Sequence, residues 1–504
     1  MLLTLTGHPF RYECENLCRL FFPYSPVRVE EQPELPTQPT ASPEGEPWAQ
    51  ALAEAEPGGV RYQVRAGDGE KALEDSRLVP VQEEYALTDL LYQVFSRLTG
   101  LRPAWGMLTG VHPVKLLRQT VQRAGEGPDF AASLEAGLAE FQEKWHVTPP
   151  KAELAGRVLR AQREAVEALR PEDFSLYVGI PFCPTRCAYC SFISQDLAHA
   201  KKLVEPYFQL LLAELEKTAR VAGDLGLRLV SVYMGGGTPT TLSAAQLGRL
   251  CGAIAQLFDM SSCREFTVEA GRPDTITREK LEALKGAGVG RISINPQSLS
   301  DQVLQTIGRA HSAAGVEAAF ALARQVGFRD INADLIVGLP GDGLEGFQRS
   351  LEGVLAFGAA NVTVHALALK RSSRLVTEDE DISSHKKSAE AAAMVEHSIQ
   401  RLTGAGFVPY YLYRQTRMAG NLENTGWALP GSICRYNIYT MDESCTVIAC
   451  GAGGVSKIKD PASGGLTRIF NFKYPAEYIE RHGEILQRKD GVIGLYEQFR
   501  QRLH

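Results

Sequence analysis

The chain has 504 residues, enough for two to four domains at about 100–200 residues each. Its 53 Lys and Arg against 59 Asp and Glu give a net charge of −6, and 44% of residues are hydrophobic; this is an ordinary soluble composition without the global basic excess that nucleic acid attracts. No apolar run approaches the roughly 18 residues of a membrane span, the opening Met1-Leu2-Leu3-Thr4-Leu5-Thr6 lacks a basic segment followed by a long apolar one, and the cysteines are scattered, so a cytoplasmic protein with reduced thiols is expected.

Residues 1 to about 29 alternate apolar and polar positions unevenly and predict one or two strands. Cys14 and Cys18 fall here without nearby partners and read as buried small hydrophobes. Residues 29–59 are rich in Pro, Glu, Ala and Gly and predict a mobile surface connection. Residues 60–64 read as a strand, and Leu87, Leu90, Leu91, Val94, Phe95 and Leu98 repeat at the spacing of one helix face. Two further amphipathic stretches carry Leu134, Leu138 and Phe141, then Leu154, Val158 and Leu159. Residues 1–170 therefore predict a mostly helical α+β domain. Within it, residues 105–115 place Gly106, Gly110 and Pro113 among apolar neighbours, either as a tight turn entering a helix or as a loop facing a ligand or partner.

Pro171 breaks the preceding helix, and the rhythm then becomes strand followed by helix. Strands are predicted at residues 175–180, 229–234, 265–270, 291–295, 331–337 and 361–367, with helical patterns such as 207–222 and 244–257 between them. Strands alternating with helices at this spacing mean parallel βα units, over residues 171–375, with 376–504 left to cover the site. In barrels of such units the chemistry collects at the C-terminal ends of the strands.

The first of these strands runs directly into Tyr177-Val178-Gly179-Ile180-Pro181-Phe182-Cys183-Pro184-Thr185-Arg186-Cys187-Ala188-Tyr189-Cys190. Three thiolates at Cys-x3-Cys-x2-Cys converge from one loop, which suits an iron–sulfur cluster; a cube of four irons given three sulfurs keeps one iron free for another ligand. The other readings are a structural zinc or three unrelated cysteines. Zinc closes with four ligands, usually in two separated pairs, and no second pair sits nearby. Farther on, Gly235-Gly236-Gly237-Thr238 leaves the second strand, Glu269 ends the third, and Gln297 follows the fourth. Arg309 and His311 come next, and Asp334 sits in the fifth. Consecutive glycines admit close backbone approach, and polar groups at strand ends are where a cofactor finds hydrogen-bond partners. His365, near the end of the sixth strand, either faces the cavity or is a packed histidine.

At the cysteine loop the sequence resembles the radical S-adenosylmethionine (SAM) superfamily. The resemblance implies a partial (β/α)6 barrel and a 4Fe–4S cluster held by Cys183, Cys187 and Cys190. It also implies SAM chelated to the free iron and cleaved by one electron to methionine and a 5′-deoxyadenosyl radical, which takes a hydrogen atom from substrate. The order of the later motifs resembles a narrower family, the oxygen-independent coproporphyrinogen III oxidases and their haem-chaperone relatives, over about residues 174–460. That resemblance implies SAM contacts at Tyr177, Gly236, Gly237, Thr238, Glu269, Gln297, Arg309 and Asp334. The N-terminal domain, the 105–115 turn and the stretch from Tyr413-Arg414-Gln415 to Asn424 are similar to the HemZ-type branch. The implied fold class is α/β: the partial barrel, an N-terminal α+β domain and a C-terminal helical or mixed cap. The implied activity is oxidative decarboxylation of coproporphyrinogen III to protoporphyrinogen IX, with porphyrinogen or haem as ligand and a flavodoxin or ferredoxin as electron donor.

Two departures keep other readings open. The established oxidases continue their cluster motif to a fourth cysteine, whereas here Cys190-Ser191 is followed by Phe192, an ending shared with the haem chaperones. A haem-binding chaperone or another radical reaction on haem therefore stands beside decarboxylation. The family's His-Asn is replaced by Cys434-Arg435-Tyr436-Asn437. Arg371, Arg374, Arg414 and Arg435 would suit propionates and Tyr410, Tyr411, Tyr413 and Tyr436 would suit a macrocycle, or they are surface arginines and core tyrosines.

Overall fold

Period-two alternation builds the first unit. The computed structural model describes all residues except 24, 34–44, 125–129, 191–193, 369–384, 416–420 and 503–504. It divides into two units, Met1–Gly156 and Arg157–His504. In the first, strands β1 (Leu2–Thr6), β2 (Arg28–Glu31), β3 (Trp48–Glu56), β4 (Gly59–Gly67) and β5 (Ala72–Val79) form one sheet in the order β2-β1-β3-β4-β5. Helices Arg11–Phe21 and Glu84–Thr99 bring Leu17, Phe21, Leu87, Leu91 and Phe95 into one core with Leu3, Leu5, Tyr62 and Val64.

Two expectations change here. Residues 1–29 hold a strand and then helix Arg11–Phe21, whose Cys14 and Cys18 turn into the core at 0% exposure; burial pushes the Cys14 thiol up to about 12. Residues 29–59 are more than a connection, because β3 occupies Trp48–Glu56 and pairs with β4 along its length. Ala49, Ala51 and Ala53 face the core at alternate positions, so small side chains and glutamates gave a loop-like composition to a strand that long-range pairing stabilises. The 105–115 stretch is a packed turn: Trp105 is buried, and a Cβ on Gly106 (φ 56°) would lie 1.9 Å from the Trp145 carbonyl oxygen.

In the second unit, β6 (Asp173–Ile180) is buried on both faces, as a central parallel strand requires. The short strands β7 (Phe182–Cys183) and β8 (Gln195–Asp196) pair with each other. Then β9 (Arg228–Gly236), β10 (Glu265–Glu269), β11 (Arg291–Ser293), β12 (Asp330–Val337) and β13 (Asn361–Ala366) continue from β6 in sequence order, each parallel to the last. This is the expected run of six βα units. Side-chain caps start the helices between them, with Asp196, Thr277, Ser300 and Ser312 each accepting a backbone N–H and Ser243 forming a capping box with Gln246.

The C-terminal part is mixed and extends the sheet at both edges. Antiparallel β14 (Val408–Arg414) and β15 (Glu423–Ala428) lie beyond β13. At the other edge β16 (Thr446–Cys450) runs parallel to β6 and leads to antiparallel β17 (Val455–Lys459) and β18 (Leu466–Phe470), completing eleven strands. Helices Pro475–Glu480 and His482–Arg502 then pack on helix Leu197–Asp224. A buried ionic network holds them there: Glu214 pairs with Lys489 at 2.9 Å and accepts from Tyr478 Oη (2.6 Å), Asn471 Nδ2 (2.8 Å) and the Gly451 N–H (2.7 Å). Tyr207 Oη donates to the Gly179 carbonyl at 2.7 Å and accepts from the Ala452 N–H at 2.8 Å, so the C-terminal segment braces the end of β6 just ahead of the cysteine loop. Among the described residues no helix is long and apolar enough to cross a membrane.

Candidate functional site

The C-terminal ends of β6 and β9–β13 carry the polar residues singled out in the sequence. Cys183 ends β7, Cys187 is 9% exposed, and Cys183 and Cys190 are half-buried. The loop is fixed by backbone bonds from Ala188 N–H to the Ile307 carbonyl (2.9 Å) and from Cys190 N–H to the Cys187 carbonyl (3.2 Å). Its continuation, including Phe192, lies outside the described residues. Among the described residues no three His, Cys, Asp or Glu side chains are gathered closely enough to hold a metal ion, so Cys183, Cys187 and Cys190 share one loop without converging on a single point. The other seven are poor candidates for thiolate ligands. Burial pushes Cys263 up to about 11 and Cys251, Cys445 and Cys450 up to about 12, like Cys14, and moves Cys18 and Cys434 in the same direction.

The glycine run joins β9 to this loop. The Gly237 N–H donates to the Ile180 carbonyl at 2.8 Å and the Thr238 N–H to the Phe182 carbonyl at 2.7 Å, while Thr238 Oγ1 lies 3.4 Å from Cys183 Sγ. A Cβ on Gly237 would come within 2.6 Å of the Phe182 carbonyl oxygen, and one on Gly235 within 2.9 Å of the Glu269 carboxylate. The absent side chains let the strand end, the cysteine segment and a carboxylate share one corner.

Beside that corner, Tyr233 Oη donates to Glu269 Oε1 at 2.5 Å. The rings of Tyr177 and Tyr436 stack on Tyr233 with centroids 6.5 and 4.4 Å away. Burial, with Asp334 nearby, raises the Glu269 carboxyl to about 7 against the opposing bond from Tyr233. Asp334 accepts from Asn332 Nδ2 at 2.7 Å and lies 3.7 Å from His365 Nε2, whose ring in turn meets Tyr413 Oη at 3.4 Å. Burial pushes the Asp334 carboxyl up, but His365 and Asn332 outweigh it and hold the group below its ordinary value. His365 is thus a partnered histidine, held between Asp334 and Tyr413.

Gln297 takes a left-handed backbone (φ 71°), a conformation that non-glycine residues adopt at a cost and that clusters at functional sites. Its N–H donates to the Asp334 carbonyl at 2.8 Å, and its buried side-chain oxygen has no partner among the described residues. Arg309 donates to the Asn295 carbonyl at 2.7 Å and to Tyr189 Oη at 2.9 Å, with its buried Nε unpartnered. Buried polar atoms left without partners are the groups a bound ligand satisfies. His311 is buried against the Pro296 carbonyl, and burial together with Arg309 and Arg272 pushes it down to about 4.

Gly236 thus lies beside Tyr177 and Glu269 near Asp334, Gln297 bonds the Asp334 carbonyl, and Thr238 turns to Cys183. Two arginines named for propionates do not reach these residues. The Arg435 backbone N–H is bound by Glu265, at the opposite end of β10 from Glu269, and Arg414 is 2% exposed with Nη2 on the Asn421 carbonyl. Arg371 and Arg374 lie outside the described residues. Tyr410, Tyr411 and Tyr436 are buried in one core cluster, as core tyrosines, while the partly buried Tyr413 stacks on Tyr411 and reaches His365. A separate cavity of about 560 Å³ lies at the starts of β10–β12, lined by Glu265, Arg291 and Asp330, away from the cysteine loop. Sequence reasoning missed Tyr233 and Arg272. Tyr233 stands opposite Tyr177 in register and shares a strand face with Gly235, a signal available from period-two alternation.

Residues 177–353 match the family model described as Radical SAM superfamily. The chain is 38% identical over 390 residues to the oxygen-independent coproporphyrinogen-III oxidase-like protein HemZ of Bacillus subtilis, covering 76% of this chain and 75% of that protein. It is 30% identical over 319 residues to the heme chaperone HemW of Mycobacterium tuberculosis, covering 61% of this chain and 74% of that one. Among solved structures, coproporphyrinogen III oxidase (HemN) from Escherichia coli, described as a radical SAM enzyme, superposes with a TM-score of 0.51 at 25% identity over 65% of this chain and 72% of that chain.

Proposed function

The chain belongs to the radical SAM superfamily, among the HemZ- and HemW-like proteins, and from that premise we propose that it decarboxylates coproporphyrinogen III oxidatively to protoporphyrinogen IX without oxygen. Its cofactors are a 4Fe–4S cluster and SAM, which together supply hydrogen-atom abstraction started by one-electron cleavage of the sulfonium. Cys183, Cys187 and Cys190 would hold the cluster. Tyr177, Gly236, Gly237, Thr238, Glu269, Gln297, Arg309 and Asp334 would hold SAM, and the unpartnered Gln297 oxygen and Arg309 Nε fit that assignment. The observation that carries the reading is the juxtaposition of Glu269 and Asp334 with stacked tyrosines at the strand ends beside the cysteine loop. The carboxylates suit an ammonium or ribose hydroxyls, and the partly buried Tyr177, Tyr233 and Tyr413, backed by the core tyrosines, would offer aromatic faces to a macrocycle. Two of the four propionates would each lose a hydrogen atom from the carbon β to the carboxylate, then CO2 and one further electron to an acceptor, leaving a vinyl group. A flavodoxin or ferredoxin would supply the electron that starts each turnover.

Glu269 makes this reading pH-dependent. With its carboxyl at about 7, Glu269 joins the already ionised Asp334 as an anion only as pH rises through neutrality, so SAM affinity is expected to increase across that range and level off above it. Glu269→Gln should flatten the profile and weaken binding by about 1.5–3 kcal/mol, the worth of a hydrogen bond to a charged group; equilibrium binding of SAM against pH checks it. The stability effect has the opposite slope. The folded state binds the proton more tightly than the unfolded chain, so the ligand-free protein loses stability as pH rises from the ordinary carboxylate range towards about 7.

The reaction itself is tested by incubating anaerobically reconstituted, reduced protein with SAM and coproporphyrinogen III. A two-step mass loss in the product supports decarboxylation. The similarity to HemW and the Ser191-Phe192 ending favour a second reading, a haem chaperone that keeps the cofactor site. Tight haem binding with no change in porphyrinogen mass would select it.

A further inference from the structure

We infer that Arg272 positions the cysteine loop and raises the reduction potential of the cluster it holds, an inference that rests on Cys187 being a cluster ligand. Arg272 follows the end of β10, is 3% exposed, and forms a two-pronged ion pair with Asp274 (2.9 and 3.1 Å). The same guanidinium reaches across to the loop. Both terminal nitrogens donate to Thr185 Oγ1 at 3.2 Å, and Nη1 also donates to the Thr185 carbonyl at 3.3 Å and lies 3.9 Å from Cys187 Sγ. Thr185 sits between Cys183 and Cys187, so one rigid fork ties the turn after β10 to the middle of the motif.

The surrounding charges leave this corner positive. Arg309 approaches the loop from the far side through Tyr189, between Cys187 and Cys190, and adds a second positive charge facing the Cys187 sulfur, while Asp274 is the carboxylate paired with Arg272. His311, which feels both arginines, is held neutral at pH 7. A guanidinium stays charged at every working pH, and a cluster bound by three thiolates becomes more negative when it accepts an electron. A fixed positive charge beside one of those sulfurs therefore stabilises the reduced form more than the oxidised form. Thr238, whose hydroxyl meets Cys183, supplies only a neutral dipole on the other side.

The test uses the full chain, reconstituted anaerobically with iron and sulfide, in wild-type, Arg272→Gln, Arg272→Lys and Asp274→Asn forms. Iron content, the rate of cluster loss to a chelator, and the midpoint potential from a dithionite titration followed by electron paramagnetic resonance are measured. Arg272→Gln is expected to carry the cluster but to lower the equilibrium constant for its reduction about tenfold, a shift of about 59 mV. Arg272→Lys should keep most of the potential, because the charge stays, yet lose iron faster, because the fork to Thr185 is gone. Asp274→Asn should move the potential upward. Wild-type potential and wild-type iron retention in Arg272→Gln would overturn the inference. Should that variant fail to fold, equal potentials in wild type, Arg272→Lys and Asp274→Asn together with unchanged iron loss in Arg272→Lys would do the same. A wild-type chain that assembles no cluster would instead remove the assignment of the loop.

Discussion

Cys187→Ala is expected to leave the reconstituted chain without its iron–sulfur absorbance and to take SAM cleavage below detection. Three thiolates from one loop are the fewest that hold a four-iron cube while keeping an iron for another ligand, so losing one leaves two attachment points. Cys187 is the most enclosed of the three, its carbonyl accepts the Cys190 N–H, and its sulfur faces the Arg272 guanidinium. Cys251→Ala is the matched control: Cys251 is fully buried on the outer helix Ala244–Leu257, and its loss should cost packing while iron and SAM cleavage survive. Iron analysis and quantification of the cleaved SAM read both variants. Either signal persisting in Cys187→Ala would contradict the assignment of the loop.

Glu214→Ala is expected to destabilise the second unit by about 3–5 kcal/mol, the cost of leaving a buried charge without its partner. Glu214 and Lys489 are 0% and 2% exposed, and the carboxylate also satisfies Tyr478, Asn471 and the Gly451 N–H. Against a total stability of about 5–15 kcal/mol, such a loss is large. Thermal and denaturant unfolding would register it, and hydrogen exchange should rise first in helix His482–Arg502 and at β16. The effect reaches the cysteine loop, because Ala452 and Tyr207 brace Gly179 and a Cβ on Gly451 would already stand 2.4 Å from the Gly179 carbonyl oxygen. Faster cluster loss in this variant should accompany the lower melting temperature. Replacing Glu214 and Lys489 together by leucine should recover only part of the stability, since neither charge is then stranded but Tyr478, Asn471 and the Gly451 N–H lose their acceptor. Its pH dependence follows the same logic: burial pushes the Glu214 carboxyl up, Lys489 and its hydrogen bonds outweigh that, and the contribution is lost as pH falls below the ordinary carboxylate range.

What could be read from the sequence follows physical locality. The six parallel strands were legible because each is a short apolar run closed by a polar or glycine residue and followed by an amphipathic helix, and their bounds agree within a few residues. The Cys183, Cys187 and Cys190 spacing and the position of Glu269 at the end of β10 could be read because both are local properties, whereas Asp334 lies inside β12 and not at its end. Non-local pairing was not. β3 hides in an Ala- and Glu-rich stretch because β4 stabilises it, and β16 joins the sheet beside β6 from the far end of the chain. Arg272 carries no periodic signal, since it sits in a turn and its importance comes from reaching Thr185 in another loop. Arg435 and Tyr436 are adjacent in sequence yet separate in role. Successive helical residues point about 100° apart, so Tyr436 stacks on Tyr233 while the start of the helix is held by Glu265 at the other end of β10.

The most direct test of the whole account is the electron paramagnetic resonance spectrum of the anaerobically reconstituted, reduced chain before and after SAM is added. An iron without a cysteine ligand binds SAM directly, so the account predicts a cluster signal that changes shape on addition, with Cys187→Ala silent in both states. A loop loaded with zinc, or a cluster signal that SAM leaves unchanged, would contradict it.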